Sequence, residues 1–437
     1  MKIQLRSPYD RDIARLAVPA FGALVAQPLY VLTDTAIVGH LGTNELAGLA
    51  LASAVLLTLS SVLIFLAYGT TGIVGRHLGA GDEAGAAHHG VQAVWLALGI
   101  GVFFAVLLGF GGEGFIDLFG AAPDVRKPAK TYLTISAVGI PAILAVMAGT
   151  GYLRGLQDTR TPLFVALGTA AVNLFVELVF VYPLDMGVAG SAWSTVIAEY
   201  LAAAIYLATI FRRASEVGVG PRPDLSALRV SLRGGVHLFV RTLALRGTFL
   251  LSTVVAAQMS TVDLAAHEVG LQMWALLALS LDAVAIAGQA LVARFLGAGD
   301  THSARGASQR MIVIAVGFGV VVAVVLLALA NVIAQVFSGD SAVTDLAAFV
   351  LIWVAITQPI GGHVFAIDGI LIGAGDLAYL GRAMWISTLV FAACCGAVVL
   401  GDLGIGWLWA SIMMFMIARS ATLHWRFRTD SWQITGT

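Results

Sequence analysis

Arg76-His77-Leu78-Gly79-Ala80-Gly81-Asp82 and Arg294-Phe295-Leu296-Gly297-Ala298-Gly299-Asp300 lie 218 positions apart and agree at every position but the second. The same offset carries Thr43, Leu46 and Ala47 onto Thr261, Leu264 and Ala265, and Pro141 onto Pro359. It also carries Gly151-x-Leu153-x-Gly155-x-x-Asp158 onto Gly369-x-Leu371-x-Gly373-x-x-Asp376. A register held without a gap over this length marks an internal duplication that splits the chain near its midpoint. Two homologous halves facing each other are a common transporter design.

Hydrophobic residues make up 59% of the chain and charged ones 11%, with a mean hydropathy of +0.92, against roughly 25% charged in soluble domains. Such a chain is solvated by lipid. Apolar segments of the roughly 20 residues needed to cross a bilayer recur at 14–38, 46–74, 89–112, 131–153, 161–183, 187–211, 233–257, 264–293, 308–336, 345–372, 382–400 and 404–424. The expected fold is an all-α membrane protein of twelve transmembrane helices in two pseudo-symmetric six-helix lobes. The lobes are residues 1–212 and 232–437, joined by a cytoplasmic linker over 213–231.

Of the 24 Lys and Arg, Arg126, Lys127 and Lys130 fall on odd-numbered connections and Arg241 and Arg246 near the start of the seventh segment. The rest are assigned to the termini and the even connections. The positive-inside rule then puts both termini and the Gly-Ala-Gly-Asp turns on the cytoplasmic face. With six crossings per half, the two halves share one orientation. The polar stretch through Arg15 leads into a full-length apolar segment without a cleavage site, and so reads as a first transmembrane helix rather than a signal peptide. Cys394 and Cys395 are adjacent, a spacing unsuited to a disulfide or to a metal site on its own. The most polar long connection, from Arg212 to Gly235, carries Arg212, Arg213, Arg222, Arg229, Arg233 and Pro221-Arg222-Pro223, with no phosphate loop and no nucleic-acid module. No cofactor and no nucleic-acid partner is expected.

Charges at bilayer depth are costly and usually functional. The candidates are Asp34, Glu177 and Glu199 in the first half, and Glu268, Asp282 and Asp368 in the second. Tyr30 and Asp34 stand four apart on the first helix, so the phenol can donate to the carboxylate. Asn173 and Glu177 repeat the spacing on the fifth, and Thr195 on the sixth adds a hydroxyl. Two carboxyls in one buried site titrate as a coupled pair, which is the chemistry a proton-driven exchanger needs. No resident metal is expected, with a sodium ion at Asp34 and Glu177 as the alternative to a proton. Asp368 and Asp282 are the candidates for a second site. Pro19 and Pro28 remove helix hydrogen bonds close to Asp34 and are candidate hinges; Pro141 and Pro359 read as static kinks. The repeated Gly-Ala-Gly-Asp turns read as tight connections in which Gly takes a positive φ and Asp caps the next helix.

The chain resembles the multidrug and toxic compound extrusion (MATE) family of the MOP superfamily, and within it the DNA-damage-inducible protein F (DinF) branch. The resemblance spans nearly the whole sequence. It rests on Leu32-Thr33-Asp34-Thr35-Ala36-Ile37-Val38-Gly39-His40-Leu41-Gly42, on both Arg-x-Leu-Gly-Ala-Gly-Asp turns, on Gly151-Tyr152-Leu153-Arg154-Gly155-Leu156-Gln157-Asp158-Thr159-Arg160-Thr161-Pro162, and on Asn173-x-x-x-Glu177. It implies two six-helix lobes and the exchange of amphipathic or cationic drugs for protons or sodium ions. Asp34 and Glu177 would be the coupling site, lined by Tyr30, Asn173 and Thr195. Glu177 stands where some relatives have Asp, which changes reach but not charge. In other branches acidic groups act in the second lobe, where Asp368 is the match; the acidic partner expected on the seventh helix is replaced by Ser252 and Thr253. The implied setting is a monomer in the cell's inner (plasma) membrane, with the lipid bilayer and small-molecule drugs as partners.

Two other readings compete with a secondary active exporter. A lipid-linked saccharide flippase of the same superfamily would share the architecture but calls for a basic central cavity. A membrane enzyme would need a catalytic or metal-ligand spacing. His40, His77, His88, His89, His237, His267 and His363 mostly fall at segment ends or loops, and they form no such spacing.

Overall fold

A backbone in hydrocarbon must satisfy its own hydrogen bonds, so a lipid-solvated chain rich in Ala, Leu, Val and Gly folds as helices. The computed structural model describes residues 7–118 and 122–437. The first six residues of the N-terminal stretch, expected on the cytoplasmic side, and 119–121 of the third connection lie outside the described residues. The first half is built from α1 (Asp10–Gly39), α2 (Thr43–Val62), α3 (Phe65–Gly79), α4 (Glu83–Leu118), α5 (Pro123–Gly155), α6 (Arg160–Val181) and α7 (Gly187–Glu216). The second is built from α8 (Leu225–Met259), α9 (Thr261–Gly297), α10 (Thr301–Phe337), α11 (Ser341–Gly373), α12 (Leu377–Leu400) and α13 (Ile405–Arg428). Among the described residues, twelve stretches are long and apolar enough to cross a membrane. Large apolar side chains such as Phe110 and Leu400 point outward, about 90% and 91% exposed, as a lipid-facing surface requires.

Three differences from the sequence reading have local causes. The second crossing is broken: α2 ends at Val62, and Leu66 and Ala67 bond three residues back to Leu63 and Ile64 before α3 continues. Thr58 donates its hydroxyl to the Ala54 carbonyl and Ser61 to that of Thr58, and such back-bonding competes with the helical ladder. The helices also outrun their apolar cores. At 36 residues, α4 is about 54 Å long against a hydrocarbon thickness of about 30 Å. Finally, α1 runs unbroken through Pro19 and Pro28.

The repeated turns have the same geometry in each half. Gly81 and Gly299 adopt φ of 73° and 76°, the left-handed conformation that closes a helix. Asp82 and Asp300 donate their N–H groups back to His77 and Phe295. Each then accepts from the next helix, Asp82 Oδ1 from Gly85 N–H at 2.8 Å and Asp300 Oδ1 from Ser303 N–H at 2.9 Å. At the second pair of turns the halves diverge. Asp158 accepts from Arg160 and Thr161, whereas its counterpart Asp376 accepts from Arg426 Nε at 2.6 Å. Helix crossings obey the register too. A Cβ on Gly151 would strike the Ala67 carbonyl of α3, and one on Gly369 would strike the Ala285 carbonyl of α9.

The chain forms two compact units, and their borders differ from 1–212, 213–231 and 232–437. One joins the segment ending at Ala17 to Val236–Gly436; the other is Val18–Gly235. In the first, Arg310 grips Asp10 through two nitrogens and Phe295 packs edge-on against Tyr9. In the second, the connecting segment is strapped to α4. Trp95 Nε1 donates to the Pro221 carbonyl at 2.7 Å, and Gln92 donates to the Arg222 carbonyl and accepts from Asp224 N–H. Each unit therefore contains the opening turns of the other half's first helix. The two borders, after Ala17 and after Gly235, are themselves one repeat apart.

Candidate functional site

Within Val18–Gly235, α1, α5, α6 and α7 bring one polar cluster together. Tyr30 and Asp34 come from α1, Tyr132 from α5, Asn173 and Glu177 from α6, and Ser191, Ser194 and Thr195 from α7. Asp34 is 5% exposed, Asn173 2% and Glu177 0%. All five residues expected at the first site are in this cluster, but their bonds are not the expected ones. Asp34 is held by Ser191 Oγ, which donates to Oδ1, and by Tyr132 OH, which donates to Oδ2 at 3.3 Å. Tyr30 does not donate to Asp34. Its oxygen accepts from Asn173 Nδ2 at 3.3 Å and lies 2.6 Å from Thr195 Oγ1. Thr195 in turn donates to the Ser191 carbonyl at 3.2 Å, so the phenol proton points to Thr195. Asn173 spends its other N–H on Ser194 Oγ at 3.1 Å. The expected Asn173–Glu177 pairing is therefore replaced by bonds from α6 to α1 and α7.

Glu177 is left facing Asp34 and Ser191, and neither of its oxygens makes a hydrogen bond of ordinary geometry. Two carboxyls in contact in low-dielectric surroundings repel strongly when both are ionised. The arrangement favours a shared proton or another small cation between them. Tyr132, Ser191 and Ser194 were missed in the sequence. Ser191 and Thr195 are four apart on α7, a readable signal; Tyr132 gave none.

The second expected site is different in kind. Asp368 on α11 accepts from Nη2 of both Arg241 on α8 and Arg419 on α13. Arg419, assigned above to the C-terminal positive charge, is 3% exposed inside the last helix, its guanidinium 5.6 Å from the Phe415 ring centroid. Asp368 is thus one anion between two cations rather than a free acid, because a buried arginine needs a carboxylate partner. Asp282 is half-buried on α9. Glu199 is half-buried on α7, and Glu268 accepts from Gln272 at 2.9 Å. His267 and His363 lie inside α9 and α11 rather than at helix ends. Among the described residues, no three His, Cys, Asp or Glu side chains converge as metal ligands.

The MatE family model matches this chain twice, over residues 19–179 and 238–398. Protein DETOXIFICATION 44, chloroplastic, from Arabidopsis thaliana is 30% identical, over 97% of this chain and 83% of the relative. DNA damage-inducible protein F of Escherichia coli K12 is 29% identical, over 95% and 93%. Among solved structures, a MOP superfamily transporter from Pyrococcus furiosus superposes with a TM-score of 0.87 at 21% identity, over 98% of this chain and 97% of that one.

Proposed function

The chain belongs to the MatE family, and from that premise we propose a secondary active transporter that exports amphipathic or cationic drugs in exchange for protons by alternating access. Members of the family are membrane transporters rather than enzymes, and relatives of this chain include proteins named as multidrug resistance proteins from Thermotoga maritima and Pseudomonas aeruginosa. The observation that carries the coupling reading is the Asp34–Glu177 contact. Two buried carboxyls face each other, and one of them makes no hydrogen bond of ordinary geometry. Such a pair takes up a cation to relieve its repulsion and gives it up when the surroundings change. A proton suits it best, since Glu177 offers no fixed ligand geometry; sodium, held by Asp34, Glu177 and the Ser191 and Tyr132 oxygens, is the alternative. The proposed orientation puts both termini in the cytoplasm of a cell whose inner membrane the chain spans, following the Lys and Arg distribution. A single chain holds the whole cluster, so the transporter is taken as a monomer.

The deciding experiment is drug flux in inverted vesicles under an imposed proton or sodium gradient. A proton gradient alone should drive export by the wild type. Asp34→Asn and Glu177→Gln should each abolish it while the protein still reaches the membrane. Wild-type rates in either variant would refute the coupling role, and flux driven only by sodium would replace the ion.

A further inference from the structure

The Asp34–Glu177 pair leaves Glu199, an acid of the first half at bilayer depth, without a role. Residue 199 lies about 18 Å along the helix from the start of α7 and about 25 Å from its end, deep within a hydrocarbon layer of about 30 Å. Among the described residues its carboxyl makes no hydrogen bond and no ion pair, and no charged group acts on it from α4, α5 or α6, the helices packed against α7. Asp368 is locked between two guanidiniums, whereas Glu199 can take or lose a proton without breaking a salt bridge.

The architecture does not call for an acid here. In the second half α13 begins at Ile405, one register after Gly187 of α7, and it carries Ile417 in place of Glu199. Ser191 and Thr195 likewise become Trp409 and Met413. The duplicated helix packs without any of the three, so the polar row belongs to one half and not to the shared fold. A charge-bearing group at this depth with no structural partner marks an ion or substrate path.

The row also has a direction. Ser191, Thr195 and Glu199 recur every four residues and share one face of α7. Ser191 donates to Asp34, and Thr195 Oγ1 lies 2.6 Å from the Tyr30 oxygen. Glu199 is the next step, about 6 Å further along the helix. It lies close enough to Tyr30 on α1 and to Tyr206 on its own helix for its charge to act on both. Tyr206 is buried and accepts from Thr150 Oγ1 at 3.1 Å, which leaves its own hydroxyl proton uncommitted. With both termini in the cytoplasm, the row leads from the Asp34 cluster toward the cytoplasmic end of α7.

We infer that Glu199 is the proton carrier between the Asp34–Glu177 pair and the cytoplasm. A proton released by the pair bonds to a Glu199 oxygen and turns the carboxylate into the neutral acid. That O–H bond then breaks, and the proton passes toward Tyr206, whose phenol gives up its own proton as it takes the incoming one. Water spans the steps between these groups, and each group ends as it began. The inference rests on the coupling reading given above.

The test uses the full chain in inverted vesicles with labelled ethidium, an amphipathic cation, as the probe. Transport driven by a proton gradient is measured beside exchange of labelled for unlabelled ethidium at equal pH, which moves no net protons. In Glu199→Gln the driven transport should fall at least about tenfold while the exchange keeps its wild-type rate. Glu199→Asp, which retains a carboxyl, should restore most of the driven transport. Wild-type driven transport in Glu199→Gln would overturn the inference, and so would loss of both fluxes with the protein present in the membrane. If Glu199→Gln does not reach the membrane, the same measurements on Glu199→Ile, the residue the repeat carries at this position, decide. Driven transport that is lost in Asp34→Asn but intact in Glu199→Gln removes this inference alone. Wild-type driven transport in Asp34→Asn removes the coupling reading with it.

Discussion

Tyr30 and Asp34 stand one helical turn apart, yet the phenol proton goes to Thr195 and the carboxyl is held by Tyr132 and Ser191. Tyr132→Phe should therefore slow gradient-driven efflux more than Tyr30→Phe, whose main effect should be a loss of stability of about 1 kcal/mol; vesicle flux and thermal unfolding measured together separate the two. At Asp368 the expected effect is on folding. Asp368→Asn strands the guanidiniums of Arg241 and Arg419 and should destabilise the protein by about 3–5 kcal/mol. Replacing all three side chains by Leu and Met of similar size should recover most of that loss in the same unfolding assay. Asp34 and Glu177 were legible because a carboxyl in an apolar run needs a reason. Their partners were not. Tyr132 is 98 residues from Asp34 and Ser191 is 157 away, and only packing brings them together. Arg419 was misread for the opposite reason: its nearness to the chain end looked like a terminal charge, while Asp368 draws it inside.

Helix ends and crossings repeat more faithfully than the side chains they carry. Gly85 N–H and then His77 hold the Asp82 carboxyl below the usual carboxylate range, and Ser303 does the same for Asp300 through its hydroxyl and its N–H. A carboxyl lowered on folding stabilises the fold above its unfolded value of about 3.9 and stops doing so as pH falls through the lower folded value. Asp300→Ala should cost about 1 kcal/mol at neutral pH, and the gap from wild type should close as pH falls through the lowered folded value, as denaturant unfolding followed down a pH series would reveal. At the crossings, Gly151→Ala and Gly369→Ala each drive a methyl into a backbone carbonyl of the facing helix. Overpacking of this kind costs about 1–3 kcal/mol. Gly317→Ala, with open space around it, should be neutral or slightly stabilising on the same scale. The turns could be read in advance because a positive φ and a cap are properties of neighbouring residues. The break at Leu63 and Ile64 could not, since nothing in the apolar run marks where Thr58 and Ser61 turn their hydroxyls onto the backbone.

For the molecule as a whole, the duplication was legible down to the residue, because one register governs turns, crossings and unit borders alike. The borders themselves were not legible. A linker rich in Arg and Pro looks like the join between two bodies, but Gln92 and Trp95 hold it inside one of them. The passages between the units run instead through α1 after Ala17 and α8 after Gly235. A cut at Gly218–Gly220 would sever a strap and leave both passages whole. Each fragment would keep its opening turns embedded in the body made by the other, as in two chains that trade arms. A protease site inserted there should yield two pieces that co-purify in mild detergent through an affinity tag on either one. Separation on cleavage would mean that Asp10 and Tyr9 on one side, and the start of α8 on the other, do not grip strongly enough to hold a nicked protein together.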